Sequence, residues 1–189
     1  MIGESIRLRI TGTRPLLMHA GRLADPLDPI AQDLAKITAK RPKTIADLQE
    51  IGRREWFGSL WLEGGKPCIP GEALEATFID AARTRRRLRA ARAGLMVSNA
   101  ALLEHEGPSS LDELWRSESF RLRHPVRVGN SKTMRTRPRF GSWGAEFEVT
   151  FLASLLDRAE ILELYAVAGF SVGLGDWRPR YGKFVVSEV

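Results

Sequence analysis

The amino-acid sequence predicts a single domain of the α+β class, and three observations support this prediction. The chain has 189 residues, the length of one domain, and 43% of them are hydrophobic, enough for one core. Residues 5–11 alternate between apolar and polar side chains, which is the period of a half-buried strand. Other segments repeat apolar residues at helical spacing behind helix-capping residues. Strands and helices are therefore predicted to mix along the chain.

Residues 26–62 are predicted to form a helical insertion after the first strand. Asp28 followed by Pro29 has the pattern of an N-cap and a first helical position. Thr44, with Asp47 three residues later, has the pattern of a capping box for a second helix. The apolar residues behind both caps recur at helical spacing, so two helices are predicted here.

A third helix is predicted to begin at Gly71, after Gly64 and Gly65 have ended the second one. Its C-terminal turns carry more positive charge than the helix dipole alone would favour. This arginine cluster comprises Arg83, Arg85, Arg86, Arg87, Arg89 and Arg92. A solvated basic face and a contact with a polyanion are both open interpretations.

The middle of the chain contains two basic segments. Residues 120–128 alternate as a strand, and residues 129–144 are predicted to form a long, extended basic loop. Cations in both segments recur at a spacing of two, which places them on one side of an extended chain. They are Arg121, Arg123 and Arg127 in the strand and Arg135, Arg137 and Arg139 in the loop, which also carries Lys132.

The last third of the chain is predicted as strand, helix, glycine-rich loop and strand. Residues 145–152 alternate as a strand, and Asp157 with Glu160 has the pattern of a cap for the next helix. The loop, 173–184, precedes a final strand over 183–189. Its candidate contact residues are Trp177, Arg178, Arg180, Tyr181 and Lys183. Arginine grips phosphate and aromatic rings stack on bases, while a plain turn is the other interpretation.

These elements follow the order βαββαβ, which is typical of a ferredoxin-like or RRM-like antiparallel sheet. The helical insertion would lie in the first crossover and the long loop near the middle. In this topology the first and third strands are neighbours at the centre of the sheet. We therefore expect Arg7 and Arg9 to share the open sheet face with Arg121 and Arg123.

The charge balance indicates a polyanionic partner. The chain has 29 basic and 23 acidic residues, a net charge of +6 and a pI near 10.0. One cysteine and three histidines exclude a disulfide and a cysteine-based zinc site, and no phosphate-binding GxxxxGK[ST] loop is present. We therefore expect no cofactor and no metal. With no membrane-spanning run and no signal peptide, we expect a cytoplasmic protein.

Two segments resemble those of the RAMP superfamily, the RNA-binding subunits of CRISPR effector complexes. Residues 69–78, Ile-Pro-Gly-Glu-Ala-Leu-Glu-Ala-Thr-Phe, are similar to its I-P-G-x-x-L-K-G-x-h-R segment. Residues 173–184 are similar to its C-terminal glycine-rich loop, and Glu75 and Ala76 stand where the family has Lys and Gly. The resemblance implies a modified ferredoxin-like domain, either a CRISPR subunit or a free-standing phage or prophage relative. It also implies a filament of copies along the bound strand.

The leading functional hypothesis is a protein that holds single-stranded DNA or RNA by its phosphate backbone, with little sequence preference. The outward strand positions carry arginine, where a base-reading RRM sheet carries aromatic residues. A homo-oligomer on the strand is the expected assembly. The predicted nucleic-acid-binding residues are Arg83, Arg86, Arg87, Arg89, Arg121, Arg123, Arg127, Lys132, Arg135, Arg137, Arg139, Trp177, Arg178, Arg180, Tyr181 and Lys183.

Two other functions stay open. The resemblance also implies an endoribonuclease, in which His19 acts as general acid or base, or Asp25 or Asp28 takes part in cleavage. A packed histidine and a turn-forming aspartate are the structural interpretations of the same residues. The third hypothesis is an assembly or anti-defence factor that meets a protein partner, with Trp56 and Trp61 as docking residues.

Overall fold

The computed structural model describes residues 3–189, apart from the side chain of Val128. The described α-helices are α1 (Pro29–Ala39), α2 (Ile45–Ser59), α3 (Gly71–Thr84), α4 (Leu88–Gly94), α5 (Leu111–Arg116) and α6 (Arg158–Val167). The described β-strands are β1 (Glu4–Gly12), β2 (Leu16–Leu17), β3 (Leu62–Glu63), β4 (Lys66–Ile69), β5 (Leu95–Met96), β6 (Ala101–Leu102), β7 (Glu104–His105), β8 (Arg121–Val128), β9 (Ser131–Phe140), β10 (Trp143–Phe151) and β11 (Phe184–Glu188).

The described residues divide into two units by their internal contacts. The first unit holds the residues up to Leu17, Leu62–Glu106 and Gly141–Val189. The second unit holds Met18–Trp61 and Gly107–Phe140. The predicted helical insertion and most of the two central basic segments thus belong to the second unit.

An antiparallel sheet with the strand order β11–β1–β10–β5 is the framework of the first unit. Ile6 of β1 lies opposite Val149 of β10, and Leu8 lies opposite Phe147. Leu8 and Ile10 are fully buried, which confirms the alternation predicted for the first strand. β7 pairs with the other end of β10.

The prediction that residues 120–128 form the strand beside β1 in this sheet is wrong. β10 lies beside β1, whereas the strand with Arg121 and Arg123 is β8, which pairs with β9 as a hairpin of the second unit. The short connection between β8 and β9 favours pairing of these two consecutive strands, because closing a short loop costs little conformational entropy. Arg7 and Arg9 therefore do not share a sheet face with Arg121 and Arg123.

Helices α3 and α6 complete the core of the first unit. Tyr165 on α6 is fully buried, with its ring centroid 4.9 Å from that of Phe78 on α3 and 5.4 Å from that of Phe147 on β10. Asp157 caps α6 as predicted, by accepting a hydrogen bond of 2.8 Å from the backbone N–H of Glu160. Burying a large apolar side chain contributes about 1.5–3 kcal/mol, so this aromatic cluster anchors α6 and the loop that follows it.

Two predicted helix ends are wrong. α2 ends before Gly64 and Gly65, which form the turn of the β3–β4 hairpin with φ values of 56° and 77°. Two positive φ values are what a two-residue hairpin turn requires and what glycine adopts without strain. α3 ends at Thr84, and Arg86 has a φ of 59°, so the arginine cluster spans a turn and α4 rather than one continuous helix.

Helices α1, α2 and α5 and the β8–β9 hairpin belong to the second unit. Asp28 caps α1 by accepting a hydrogen bond of 2.8 Å from the backbone N–H of Ile30. Thr44 and Asp47 make the predicted capping box of α2. The Lys40 ammonium group, 2.7 Å from Asp47, holds the pKa of that carboxyl group well below its usual range. Both predicted helices are confirmed.

The segment 129–144, predicted to be a long loop, is instead largely the strand β9. It pairs with β8 from Ser131 to Pro138, so its backbone groups are satisfied by the hairpin ladder. The prediction that this segment is extended was right, and the prediction that it is unpaired was wrong. The fold as a whole is α+β with antiparallel sheets, as predicted. None of the helices in the described part of the chain is long and apolar enough to cross a membrane.

Candidate nucleic-acid interface

A groove of about 750 Å³ in the second unit is lined by residues of α1, α2, β8 and β9. Leu34, Leu48 and Ile51 contribute apolar surface to it. Gly52 lets α2 approach β9 closely, because a Cβ atom there would lie 3.1 Å from Oγ1 of Thr136. The groove is therefore framed by regular elements that pack tightly against each other.

Four cations that line this groove have no carboxylate partner among residues 3–189: Arg41, Lys43, Arg123 and Lys132. Arg41 donates to two backbone carbonyl oxygens, at 2.9 and 2.7 Å, and Lys43 to one at 3.3 Å. Arg123 and Lys132 are exposed. A concave surface lined by charge of one sign focuses the electric field, so these cations favour an anionic ligand.

Arg135 also lines the groove, but Glu55 neutralises it. The Glu55 carboxylate accepts a hydrogen bond of 2.6 Å from Nη1 of Arg135 and one of 2.9 Å from the backbone N–H of Thr136. Glu55 is only 1% exposed, and a buried carboxylate is stable only when such donors replace its hydration. The pair fastens α2 to β9 and cancels one positive charge of the groove.

The other two arginines of the β9 row make contacts within the unit. Arg137 is 7% exposed and donates to Oγ of Ser59 at 3.4 Å and to Nε2 of His19 at 3.2 Å. A guanidinium group only donates, so His19 accepts through Nε2. Arg139 donates to a backbone carbonyl oxygen at 3.1 Å. The predicted row exists, but only Arg135 of its three arginines lines the groove.

His19 and Asp25, the candidate residues for RNA cleavage, have separate surroundings. His19 lines a cavity of about 210 Å³ together with Glu55, Arg135 and Arg137. Asp25 does not line this cavity, and its carboxylate accepts a hydrogen bond of 2.9 Å from the backbone N–H two residues later. That contact is ordinary turn chemistry. Cleavage by either residue stays a prediction.

A second cavity in the second unit, of about 380 Å³, shares Arg123 and three other lining residues with the groove. Trp115 lines this cavity, and the guanidinium carbon of Arg121 lies 4.7 Å from the centroid of the Trp115 ring. Arg127, further along β8, is exposed and donates to the carbonyl oxygen of Gly129 at 3.2 Å. Two of the three arginines of β8, Arg121 and Arg123, thus line a cavity that Trp115 also lines.

The glycine-rich loop of the first unit, 173–184, follows a path that requires its glycines. Gly173, Gly175 and Gly182 have φ values of 79°, 78° and 69°. A Cβ atom at Gly182 would overlap the carbonyl oxygen of Leu174, and one at Gly175 would overlap another backbone carbonyl. Backbone hydrogen bonds of 2.8–2.9 Å at Leu174 and Gly182 fasten the loop further.

This fixed backbone presents aromatic and basic side chains together. Trp177 is 44% exposed, with its ring centroid 5.5 Å from that of Tyr181 and 5.6 Å from the guanidinium carbon of Arg180. The Lys183 ammonium group lies 5.1 Å from the ring centroid of Phe170, which is itself 78% exposed. The loop therefore groups exposed aromatic and basic side chains, the composition of a stacking surface, and base stacking on it stays a prediction.

Several first-unit arginines predicted to bind nucleic acid already face carboxylates. Arg178 and Arg83 share Asp80, each with a nitrogen–oxygen distance of 3.6 Å. Arg87 forms an ion pair with Glu160 on α6 and donates to a backbone carbonyl oxygen at 2.8 Å. The arginines of this cluster without a carboxylate partner in the described structure are Arg86, Arg89 and Arg92.

The sequence did not predict several residues of the groove and of the cavity that shares residues with it. Arg41 and Lys43 flank Pro42 between two helices, and two cations at a predicted helix break are a pattern from which an exposed basic site could have been predicted. Trp115 resembled an ordinary core residue of a short helix. Glu55 gave no signal, because nothing local distinguishes its charge from that of an exposed helical glutamate.

No known family model matches the chain, and a search of curated proteins finds no match to it. No three His, Cys, Asp or Glu side chains within residues 3–189 are grouped so that they could hold a metal ion. Function is therefore inferred from the geometry and charge of the groove and the loop.

Proposed function

We propose that this protein binds single-stranded nucleic acid by its phosphate backbone, with the groove of the second unit as the main contact. The observation that carries the proposal is the set of four groove cations that no carboxylate neutralises. Arg123 and Lys132 come from the β8–β9 hairpin, and Arg41 and Lys43 come from the connection between α1 and α2. When these cations contact phosphates, the counterions condensed on the nucleic acid are released, and no ion pair within the protein has to be broken first.

The apolar part of the groove favours a single strand over a duplex. Leu34, Leu48 and Ile51 line the same groove as the cations. The bases of a single strand are unpaired and can lie against apolar and aromatic side chains, whereas those of a duplex are stacked inside. A strand with phosphates on the cations and bases toward these residues satisfies both parts of the surface.

The glycine-rich loop is proposed as a second, weaker contact. Trp177 and Tyr181 offer sequence-tolerant stacking, which contributes about 1–3 kcal/mol per base in single-strand binding proteins. Arg178 contributes less than an unpaired arginine would, because Asp80 already faces it at 3.6 Å. The loop therefore supports base stacking more than phosphate binding.

The finer fold and family are also proposed. The order β11–β1–β10–β5, with α3 between β1 and β5 and α6 between β10 and β11, supports a ferredoxin-like βαββαβ arrangement in the first unit. The segments 69–78 and 173–184 support a RAMP-like domain. A RAMP-like binder is proposed to assemble along the strand as a homo-oligomer, in a CRISPR effector or in phage nucleic-acid metabolism.

Fluorescence anisotropy with labelled oligonucleotides of DNA and RNA at rising salt tests the proposal. Each phosphate contact to a single strand contributes about −0.7 to the slope of log K against log salt. The double variant Arg123→Ala with Lys132→Ala is expected to bind more weakly and to flatten the slope by about 1.4. Both side chains are exposed, so the variant is expected to fold normally.

The matched control removes two positive charges that do not belong to the four groove cations. Arg22 and Arg158 are ion-paired to Asp28 and Glu188 at 2.8 and 3.0 Å, so the variant Arg22→Ala with Arg158→Ala lowers net charge equally. It is expected to leave the salt slope nearly unchanged. No binding at low salt, or equal losses in the two double variants, would contradict the groove as the main contact.

A further inference from the structure

We infer that the 380 Å³ cavity beside Trp115 binds one unstacked guanine base of the bound strand. This inference rests on the proposed function and adds to it a position at which the strand is read. The cavity is lined by Gln49, Trp115, Glu118, Arg121 and Arg123, together with parts of α2 and β9. Its volume lies within the range of sites that bind small ligands, roughly 300–1,000 Å³.

The walls of the cavity provide a stacking surface. The Arg121 guanidinium carbon lies over the Trp115 ring, 4.7 Å from its centroid, which is a cation–π contact. Unstacked bases in single strands bind against such aromatic and guanidinium planes. Trp115 contacts the fully buried Trp56, whose ring centroid is 5.7 Å away with the two rings tilted at 59°, so its ring is anchored to the core of the unit.

The polar groups around the cavity match the edge of guanine. Guanine has acceptors at O6 and N7, and the NH₂ group of Gln49, which lines the cavity and is not one of the phosphate-binding cations, can donate to N7. Guanine also has two adjacent donors, N1–H and the N2 amino group, and a carboxylate accepts from both. Glu118 provides that carboxylate. On the same Watson–Crick edge, adenine, cytosine and thymine each present only one donor group.

Glu118 has little structural work to do. Its side chain is 96% exposed, and the nitrogen–oxygen distance to Arg121 is 4.0 Å, too long for a hydrogen bond. Gln49, which contributes an amide to the cavity, is exposed as well. The negative charge of Glu118 beside two arginines weakens phosphate binding at this position. The same carboxylate would favour a base, because it can accept hydrogen bonds from the donors of guanine.

The cavity and the groove are continuous through shared residues. Arg123, Leu48, Gly52 and Thr136 line both. A strand whose phosphates follow the groove cations can therefore place one base in the cavity without leaving the second unit. Backbone binding and base reading then use the same short stretch of strand.

The test measures anisotropy with thymidine oligonucleotides of about 15 nucleotides, close to the upper site size of single-strand binders. One central position is thymine, adenine, cytosine, guanine, hypoxanthine or 7-deazaguanine. Guanine is expected to bind at least about fivefold more tightly than thymine, adenine or cytosine, the lower limit for one bidentate base contact. Hypoxanthine, without the N2 amino group, and 7-deazaguanine, without N7, are each expected to lose part of that preference.

The variants Glu118→Gln and Gln49→Ala separate base reading from backbone binding. Glu118→Gln is expected to abolish the guanine preference while affinity for the all-thymidine strand stays equal or rises, because one negative charge is removed. Gln49→Ala is expected to reduce the preference and leave all-thymidine binding unchanged. Both residues are exposed, so neither change is expected to affect folding.

The outcomes for the two proposals differ. Equal affinity of the wild type for all six strands overturns the guanine site and leaves backbone binding standing. A guanine preference that survives in Glu118→Gln also overturns the assignment of that carboxylate. Absence of binding to every strand at low salt overturns both proposals.

Discussion

The buried pair Glu55–Arg135 gives the sharpest single test of the groove, because one substitution should move stability and binding in opposite directions. In Glu55→Gln the amide keeps one acceptor oxygen but turns an NH₂ group toward a donor. The wild-type carboxylate accepts from Arg135 at 2.6 Å and from the Thr136 backbone at 2.9 Å, and it is 1% exposed. The variant thus loses one of two charge-assisted hydrogen bonds in a buried site.

The size of the stability loss follows from that geometry. A hydrogen bond to a charged group contributes about 1.5–3 kcal/mol, and breaking a fully buried ion pair costs about 3–5 kcal/mol. The Arg135 side chain is 31% exposed, so water can hydrate its charge in the variant, and the lower range applies. We expect the free energy of unfolding to fall by about 2 kcal/mol and Tm by about 4–8 °C.

The binding effect has the opposite sign. Removing the Glu55 carboxylate leaves Arg135 as a fifth uncompensated cation of the groove. We expect Glu55→Gln to bind oligonucleotides more tightly at low salt, with a salt slope steeper by about 0.7. A surface that does not contact phosphate would show the stability loss alone.

Urea unfolding followed by tryptophan fluorescence measures stability, and anisotropy at rising salt measures binding. The control is Glu163→Gln, which removes an exposed carboxylate 3.3 Å from Arg85 and is expected to cost under about 1 kcal/mol. A Glu55→Gln variant as stable as this control would refute the burial argument. A destabilised variant with unchanged or weaker binding would refute the groove as the phosphate surface.

Three further predictions concern the first unit. Gly182→Ala should lower the free energy of unfolding, measured by urea denaturation, by about 3 kcal/mol or more, because its φ is 69° and a Cβ atom would overlap a backbone carbonyl. Gly64→Ala is the control: its φ is 56° with open space around it, so it should cost about 1 kcal/mol. Similar losses in the two variants would contradict the overlap argument. Burial raises the pKa of the Cys68 thiol to about 11, so a disulfide reagent at pH 8 should react with it at least about 100-fold more slowly than in urea. Because folding raises this pKa, the contribution of the neutral thiol to folding stability is complete below the pKa of the unfolded chain and is lost as pH rises toward 11. Fast labelling of the folded protein would contradict the raised pKa. Arg178→Ala with Arg180→Ala should flatten the salt slope by only about 0.7, half the effect of the groove pair; an equal or larger effect would make the loop the main phosphate contact.

Local sequence signals predicted the elements well, because local interactions decide them. Asp28, Thr44 and Asp157 cap helices where their patterns indicated, since a cap satisfies backbone N–H groups within three residues of itself. The alternation of β1 and of residues 120–128 is likewise a local property of a strand. These signals are independent of where the element finally packs.

The partners of each strand could not be predicted in the same way. Residues 120–128 and 145–152 both alternate, and either could stand beside β1 in a βαββαβ order. The choice depends on which strand buries more apolar surface. β10 buries Ala145, Phe147 and Val149 in the core, whereas β8 alternates arginines with partly exposed residues. The less apolar strand pairs with its neighbour in a hairpin and leaves the sheet centre to β10.

The candidate site illustrates why density of basic residues is a poor guide to electrostatic field. The most conspicuous basic stretch in the sequence, 83–92, includes three arginines that the fold places beside Asp80, Glu160 and Glu163. Two of these three acids lie on α6, far along the chain, so the compensation is invisible before folding. The groove cations are sparser in sequence and drawn from two distant segments, yet they stand without carboxylate partners in the described structure. Since an anion is attracted by the net field and not by the number of arginines, we propose the groove of the second unit, and not residues 83–92, as the main phosphate surface.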